Sequence, residues 1–313
     1  MKALAIDLGG THATCALVDG RAIVARESLA TDRSAGLRPL LPQLATVCQR
    51  VLNQADVPAG ECSGLALSFC GIVDHSKCKI LSTNSKYDDG PALDLEAWAR
   101  ASFGIPIQVE NDARMALLGE RYCGAAQGFD DVVMVTLGTG IGAAAMLEGQ
   151  LLRGKHAQAG CLGGHLPVLF NGRTCTCGAV GCAEAEASTW PLEEICRSTP
   201  SFSTSSLSRE KSISFEELFS HAEAGDGVAI TVRDRCVAVW STLAVGLIHA
   251  YDPEVIVIGG GVMRRAAEVV PPIEEYVHRH AWTPWGKVEV HAAQLGNEAA
   301  LLGSVPLLEG FTG

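Results

Sequence analysis

The sequence predicts an α/β fold built from two related lobes, and three observations support this. Short apolar strands alternate with segments of helical periodicity along the chain. A hairpin with a glycine-rich turn opens the sequence and recurs after residue 131. The chain has 313 residues, which is long for one ordinary domain and suits two.

The two hairpins have matching spacing. The first runs from strand Lys2–Asp7 through Leu8-Gly9-Gly10-Thr11 to a second strand, His12–Val18, and a turn at Asp19-Gly20. The second has strands Val132–Thr136 and Ile141–Leu147, a turn at Leu137–Gly140 and a second turn at Glu148-Gly149. Leu8 and Gly20 are separated by the same interval as Leu137 and Gly149. An internal duplication predicts two lobes whose glycine turns face a shared, nucleotide-binding cleft, and the alternative is two unrelated hairpins.

The remaining elements alternate as an α/β protein requires. We predict a third strand at Ala22–Ser28 and later strands at Gly64–Phe69, Ile107–Glu110, Val255–Ile258 and Val288–His291. Helices are predicted at Leu37–Asn53, Asp112–Cys123, Gly227–Tyr251, Arg265–His278 and Asn297–Leu308. The Ser- and Thr-rich segment Ser198–Ser214 is predicted to be a flexible surface loop. Residues 1–118 with 297–313 are expected to form the first lobe, and residues 119–296 the second.

Composition excludes several classes of function. The formal net charge is −11 and there is no Lys/Arg cluster, so nucleic acid and anionic membranes are poor partners. We find no signal peptide and no apolar run of the roughly 18 residues that a membrane span needs, so a cytoplasmic location is predicted. Most of the twelve cysteines stand singly among apolar residues and are predicted to be buried thiols.

Three glycine turns follow apolar strands. Gly9-Gly10-Thr11 and Gly138-Thr139-Gly140 allow close approach of the backbone to a phosphate, and Asp7 at the first strand end is placed to hold a Mg²⁺ water. Gly259-Gly260-Gly261 permits approach by a flat group such as adenine. Each turn is equally compatible with a simple structural connection, but the repeated pair favours a nucleotide site.

Two polar residues end the strand at Ile107–Glu110 and open a helix. Asn111 and Asp112 are residue types that cap helices. They also lie at the carboxyl end of a strand, where open α/β sheets bind ligands. A carboxylate there can act as general base on a hydroxyl group.

The most specific local pattern is His165, Cys175, Cys177 and Cys182. One imidazole and three thiolates suit tetrahedral zinc, and the glycines between the last two cysteines let the backbone wrap around a metal. All four coordination positions would be filled, so the predicted zinc is structural. A redox pair or chance clustering is the alternative.

These motifs resemble the ROK family of sugar kinases and repressors in the actin/hexokinase-like ATPase superfamily. The resemblance implies a two-lobed, actin-like (ribonuclease H-like) fold with an interlobe cleft, an ATP- and Mg²⁺-dependent sugar kinase, and a homodimer. It assigns Asp112 as catalytic base. It also implies that the sugar contacts Gly71, Asn84, Asn111, His165 and Glu184, that the turns at 9–10 and 138–140 cradle phosphates, and that 259–261 approaches adenine.

One position departs from the family pattern. The family has Gly-Glu-x-Gly-His before the zinc ligand, where this chain has Leu162 in place of the glutamate. Leucine cannot accept a hydroxyl hydrogen bond, so we expect a sugar that differs from glucose near its anomeric end, or relaxed selectivity. A binding protein without catalysis and a kinase using another phosphoryl donor, such as polyphosphate, are alternatives. A repressor is disfavoured because the first hairpin begins at residue 2, leaving no room for a winged helix.

Overall fold

The structure is a computed structural model that describes residues 1–83 and 86–310. Its strands are β1 Lys2–Leu8, β2 His12–Asp19, β3 Ala22–Ala30, β4 Leu65–Phe69, β5 Ile72–Asp74, β6 Lys79–Ser82, β7 Ile107–Asn111, β8 Val132–Leu137, β9 Ile141–Leu147, β10 Gln150–Leu151, β11 Val255–Gly259 and β12 Glu289–Ala292. Its α-helices are α1 Leu41–Gln54, α2 Leu95–Phe103, α3 Asp112–Cys123, α4 Ala183–Ala187, α5 Thr189–Ser198, α6 Phe215–Glu223, α7 Gly227–Tyr251, α8 Ala266–His280, α9 Ala299–Leu302 and α10 Ser304–Glu309. The predicted α/β class is therefore confirmed.

The chain divides into two compact units. The first comprises Met1–Gly128, Arg153–Ala159 and the chain from Asn297, and the second comprises Phe129–Leu152 and Gly160–Gly296. The boundary that we placed at residue 118 falls inside the continuous helix α3, whose ladder of backbone hydrogen bonds keeps it in one unit. Segment 153–159, which we assigned to the second lobe, groups with the first unit.

The first unit contains a five-stranded sheet in the order β3-β2-β1-β4-β7. Strands β1, β2 and β3 form an antiparallel meander, and β4 and β7 join β1 in parallel. Buried apolar side chains of the sheet pack against helix α1, whose proline at the second helical position is accommodated because no helical hydrogen bond is lost there. The three parallel strands therefore end at the same edge of this sheet.

The second unit contains a sheet of the same order, β10-β9-β8-β11-β12. Strands β8 and β9 are antiparallel, and β8, β11 and β12 are parallel neighbours. Helix α7 is largely buried in the core of this unit. Corresponding strands have corresponding partners and directions in both sheets, which favours duplication over two unrelated hairpins.

Most predicted elements lie where the sequence places them, and the exceptions are instructive. Helices α3 and α7 have the predicted bounds, and the C-terminal helix is divided into α9 and α10 at Gly303. The prediction of a flexible loop at 198–214 is wrong: two 3₁₀ helices form there, and Asp226 accepts hydrogen bonds from the hydroxyls of Ser205 and Ser206. These long-range side-chain bonds leave no periodic signature in the local sequence.

Within the described residues, no helix is long and apolar enough to cross a bilayer.

Candidate functional site

Polar groups gather at the carboxyl edge of the first sheet. β1 ends beside Asp7 and the turn at Gly9, β4 is followed by Gly71, and β7 ends at Asn111. Ser68 Oγ donates a hydrogen bond of 2.7 Å to Asp7 Oδ1. Asn111 Nδ2 donates to the Gly71 carbonyl at 3.0 Å. Since β1, β4 and β7 are parallel, the fold brings together Asp7, Gly71, Asn111 and Asp112, as ligand sites of open α/β sheets require.

Asn111 and Asp112 have different tasks at this edge. Asn111 caps helix α3, because its Oδ1 accepts from the backbone N–H groups of Ala113 and Arg114. Its Nδ2 donates to Asp112 Oδ1 at 2.9 Å as well as to Gly71, so both amide hydrogens and the amide oxygen have partners. Asn111 thereby orients the Asp112 carboxylate, which is solvent-accessible.

The two carboxylates of this edge resist ionisation. Limited hydration inside the protein raises the pKa of Asp7 to about 6, and the charge of Asp112 contributes to that increase. Asp112 keeps some contact with solvent, but the protein around its carboxylate displaces part of its hydration and so raises its pKa; the Ala113 N–H, Lys86 and Asn111 act in the opposite direction. A carboxylate with a raised pKa is a stronger base near neutral pH than an ordinary aspartate.

A buried ionic cluster supports the junction between β7 and α3. Glu110 is fully buried and accepts from Arg153 Nε at 2.7 Å and from Arg114 Nη1 at 3.3 Å. Arg114 is also fully buried and donates to the carbonyls of Ala157 and Ala159. This cluster was not among the sequence-based predictions. The i, i+4 spacing of Glu110 and Arg114 was a detectable signal, whereas the distant Arg153 gave none.

The first glycine turn is held by a tyrosine. Tyr87 is buried, and its hydroxyl donates to the carbonyl of Gly9 at 2.7 Å and lies 2.9 Å from Thr31 Oγ1. Gly9 N–H donates to the His12 carbonyl and closes the turn. Tyr87 was not among the predicted site residues, because its partners are distant along the chain. Asn84, which the family resemblance assigns to the sugar, lies outside the described residues.

A cavity of about 330 Å³ lies in the second unit. It is lined by Gly138, Thr139, Thr189, Ser214, Phe215, Glu216, Gly261, Val262, Arg264 and Arg265. The turns at 138–140 and 259–261 thus meet at one cavity, as a nucleotide site would require. Only Gly261 of the latter turn lines it. Gly260 has a φ of 91°, and a methyl carbon at that position would lie 2.3 Å from the Leu137 carbonyl oxygen, so packing accounts for this glycine.

Glu184 lies on the second glycine turn. The residue is buried, and its Oε2 accepts from the Ile141 N–H at 3.0 Å. A methyl carbon at Gly140 would lie 2.5 Å from the same oxygen, so glycine is needed for this contact. Glu184 opens helix α4 directly after the cysteine motif and connects that motif to the turn.

The four predicted metal ligands converge in the second unit. Donor atoms of His165, Cys175, Cys177 and Cys182 all lie within 4.8 Å of one another. Cys177 Sγ and Cys182 Sγ are 3.7 Å apart, and Cys175 Sγ lies 3.5 Å from His165 Nδ1. In a tetrahedral site with Zn–S bonds of about 2.3 Å and a Zn–N bond of about 2.0 Å, two sulfur atoms lie roughly 3.8 Å apart, and a sulfur and the nitrogen roughly 3.5 Å apart. The donor set therefore fits a tetrahedral zinc ion.

Residues 165–182, which contain the four predicted ligands and are called the metal loop below, are shaped by glycines and a buried acid. Gly181 has a φ of 73°, and a methyl carbon there would lie 1.7 Å from the Leu169 carbonyl oxygen. Glu186 is fully buried, forms an ion pair with Arg235 and accepts from the backbone N–H of Arg173. These contacts attach the loop to helices α4 and α7. Leu162 is 36% exposed at the start of the 3₁₀ helix Gly163–His165.

Comparison with known proteins identifies the family. Residues 3–310 match the ROK family. The chain belongs to the ROK family. Within it, the chain is 31% identical to a glucokinase of Thermotoga maritima over 320 residues, which cover 99% of this chain and 98% of the relative.

Solved structures of ROK proteins share the fold. A ROK hexokinase from Thermus thermophilus superimposes with a TM-score of 0.81 at 30% identity, with both chains covered completely. A ROK glucokinase from Streptomyces griseus, in complex with glucose and AMPPNP, superimposes with a TM-score of 0.82 at 28% identity. The match covers 99% of this chain and all of the glucokinase chain. The comparisons confirm the predicted actin-like α/β fold and support an ATP-dependent carbohydrate kinase.

Proposed function

We propose that this ATP-dependent carbohydrate kinase transfers the γ-phosphate of ATP to a hexose or hexose derivative, at the 6-hydroxyl, with Asp112 as the general base. The observation that carries the proposal is the placement of Asp112 at the carboxyl edge of the first sheet. There its carboxylate is accessible, is oriented by Asn111 and has a raised pKa. The family relationship supports sugar phosphorylation.

The reaction places one demand on Asp112. Its carboxylate takes the proton of the attacking hydroxyl while the sugar oxygen forms a bond to the γ-phosphorus. The bond between that phosphorus and the β,γ-bridging oxygen breaks, and ADP leaves with the electron pair. Asn111 fixes the direction of the carboxylate, and a sugar contact of its own would replace one of its present hydrogen bonds.

Two sets of residues are proposed to bind ATP. In the second unit, the cavity would take the adenosine moiety beside Gly261, and the turn Gly138-Thr139-Gly140 would hold phosphate oxygens. In the first, the turn Gly9-Gly10-Thr11 would hold phosphate oxygens through backbone N–H groups. Mg²⁺ would neutralise charge on the phosphates, and Asp7, whose pKa is raised in part by the charge of Asp112, would bind a Mg²⁺ water.

The metal loop would serve the sugar without joining the chemistry. With His165 Nδ1 among the thiolates, its Nε2 would remain for a sugar hydroxyl, and Glu184 would offer its second carboxylate oxygen. Gly71, Asn84 and Asn111 are the remaining proposed sugar contacts. Zinc in this loop would fix the imidazole orientation, as a filled tetrahedral site does. A homodimer is a further prediction from the family relationship.

Leu162 would set the choice of sugar. Since leucine cannot accept a hydroxyl hydrogen bond, a substrate hydroxyl facing it would be left without a partner at a cost of about 1–3 kcal/mol. We propose that the preferred sugar differs from glucose near its anomeric end, or that selectivity is relaxed.

The test is ADP release from Mg-ATP with aldohexoses, ketohexoses and N-acetylhexosamines. Turnover with a subset would support the proposal, and NMR of the product would identify the phosphorylated hydroxyl. A zinc-loaded, folded sample without turnover on any sugar would contradict it and favour a non-catalytic binding protein. A clear preference for glucose with ordinary affinity would refute the role of Leu162. Leu162→Glu, with Leu166→Glu as the exposed control, should increase the preference for glucose.

A further inference from the structure

Two cationic side chains lie over the first glycine turn. A methyl carbon added at Gly10 would lie 3.7 Å from both Cδ and Nη1 of Arg33 and 3.9 Å from Cδ of Lys86. The two loops that carry these residues are joined directly, because the N–H of Tyr87 donates to the Arg33 carbonyl at 2.9 Å. Neither residue forms an ion pair with any carboxylate of residues 1–83 and 86–310. In a chain of net charge −11, two unpaired cations beside one turn are notable.

The position of this pair is fixed by the surrounding structure. Tyr87 adopts a φ of 57°, a left-handed conformation that typically costs about 1–3 kcal/mol in a non-glycine residue. Its hydroxyl bonds to Gly9 and Thr31 hold it there. Asp89 accepts from the backbone N–H groups of Leu37 and Arg38, which ties the two loops together a second time. The cations are thus held by a scaffold attached to the turn itself.

The turn also presents backbone donors. Gly9 N–H is used by the His12 carbonyl, but the N–H groups of Gly10 and Thr11 have no acceptor within the described part of the chain. Two amide donors and two cationic side chains therefore lie at one turn. A tetrahedral phosphoryl group, with three oxygens and two negative charges, can use all four, whereas a neutral sugar hydroxyl cannot.

We propose that Arg33 and Lys86 bind the phosphoryl group as it is transferred, and that they offset the charge of Asp7 and Asp112 on the same edge. This rests on the proposed kinase function and adds two residues to it. Lys86 acts on Asp112 as well, since its charge favours the ionised carboxylate that accepts the hydroxyl proton. Asp32 and Asp88 face the same loops but already accept hydrogen bonds from Ser34 and Thr83.

Calorimetry with Mg-AMPPNP and Mg-ADP tests the proposal without requiring turnover. Arg33→Met and Lys86→Met should each weaken AMPPNP binding roughly 10- to 100-fold, the range for a lost charged hydrogen bond, and leave ADP binding unchanged. Arg38→Met, in the same loop as Arg33, and Lys79→Met, on β6, are matched controls with exposed side chains and should bind both nucleotides normally. Unchanged AMPPNP affinity in both test variants would overturn the proposal.

Two further measurements sharpen the test. With an active wild type, each variant should lower kcat by roughly 10²–10³, and Lys86→Met should move the acidic limb of the pH–rate profile upward, which a purely structural role would not do. A binding loss confined to an anionic sugar such as glucuronate would overturn the proposal in favour of an anionic acceptor. Absence of ADP release from the wild type would count against the kinase function, while the nucleotide comparison would still decide the role of the cations.

Discussion

The two units have the same strand order but different residues at the ends of corresponding strands. In the first, Asp7 is the next-to-last residue of β1, and β7 ends at Asn111, which Asp112 follows. In the second, Thr136 is the next-to-last residue of the corresponding strand β8, and Ala293 follows β12; neither side chain ionises. A duplicated sheet gives the same edge twice, and the side chains at that edge determine its chemistry. The first unit has Asp7 and Asp112 at this edge, while the second has a cavity and the four predicted metal ligands.

The insertions differ as well. Residues 31–64 connect β3 to β4 in the first unit, whereas residues 152–254 connect the corresponding strands β10 and β11. The longer connection contains the four metal donors, and Glu186 and Arg235 anchor it. Helices α4 to α7 of this connection pack into the core of the second unit, and a metal ion would order the segment around the four donors.

The comparison predicts its largest effect at Asp112. Asp112→Asn should keep the fold and sugar binding but lower kcat by roughly 10²–10⁴, because the proton acceptor is removed. Coupled ADP-release kinetics and sugar calorimetry measure the two quantities. Asp234→Asn, on the surface of α7, serves as control. A variant with wild-type kcat would show that the first unit does not hold the base.

Loss of the metal should destabilise the second unit locally and leave the first unit unchanged. Cys182→Ser should abolish stoichiometric zinc, measured by elemental analysis, and should increase hydrogen exchange in 160–188 while β1–β4 exchange as in the wild type. The expected loss is several kcal/mol of local stability. Cys123→Ser, outside the metal cluster, should retain the zinc. Full zinc occupancy in Cys182→Ser would remove that residue from the ligand set.

Asp7 should make the first unit sensitive to pH. Its pKa rises from 3.8 to about 6 on folding, so the folded protein holds more protons than the unfolded chain between those values. The stability that protonated Asp7 contributes at low pH is therefore lost as the pH rises from about 4 to 6. Above that window the free energy of unfolding is lower by at most about 3 kcal/mol. Asp7→Asn removes the cost.

Urea unfolding at pH 4 and pH 8 measures this effect. The Asp7→Asn variant should be more stable than the wild type at pH 8, and the difference should shrink at pH 4. An equal difference at both pH values would show that Asp7 ionises normally. Asp234→Asn provides the baseline for removal of an exposed carboxylate.

The smallest predicted effect is a difference in stability between alanine substitutions in the two glycine turns. Gly140→Ala places a methyl carbon 2.5 Å from Glu184 Oε2, whereas Gly10→Ala has no contact closer than 3.7 Å. We expect a loss of about 1–3 kcal/mol for the first and little loss for the second, measured by urea unfolding. Gly138→Ala, with open space around it, is the control. Equal losses at positions 10 and 140 would mean that Glu184 moves aside.

The sequence by itself determined the elements whose signals are local. The paired hairpins follow from short apolar runs and glycine turns, α3 and α7 from their periodicity and caps, and the metal quartet from three cysteines within eight residues. Tertiary structure alone decided the contacts between distant segments. Arg153 reaches the buried Glu110, Tyr87 holds the Gly9 turn, Arg33 and Lys86 come together over Gly10, and Asp226 orders the loop at 198–214. The reason is physical: burial and hydrogen bonding depend on which surfaces meet, and spacing along the chain records only neighbours within a turn or a strand.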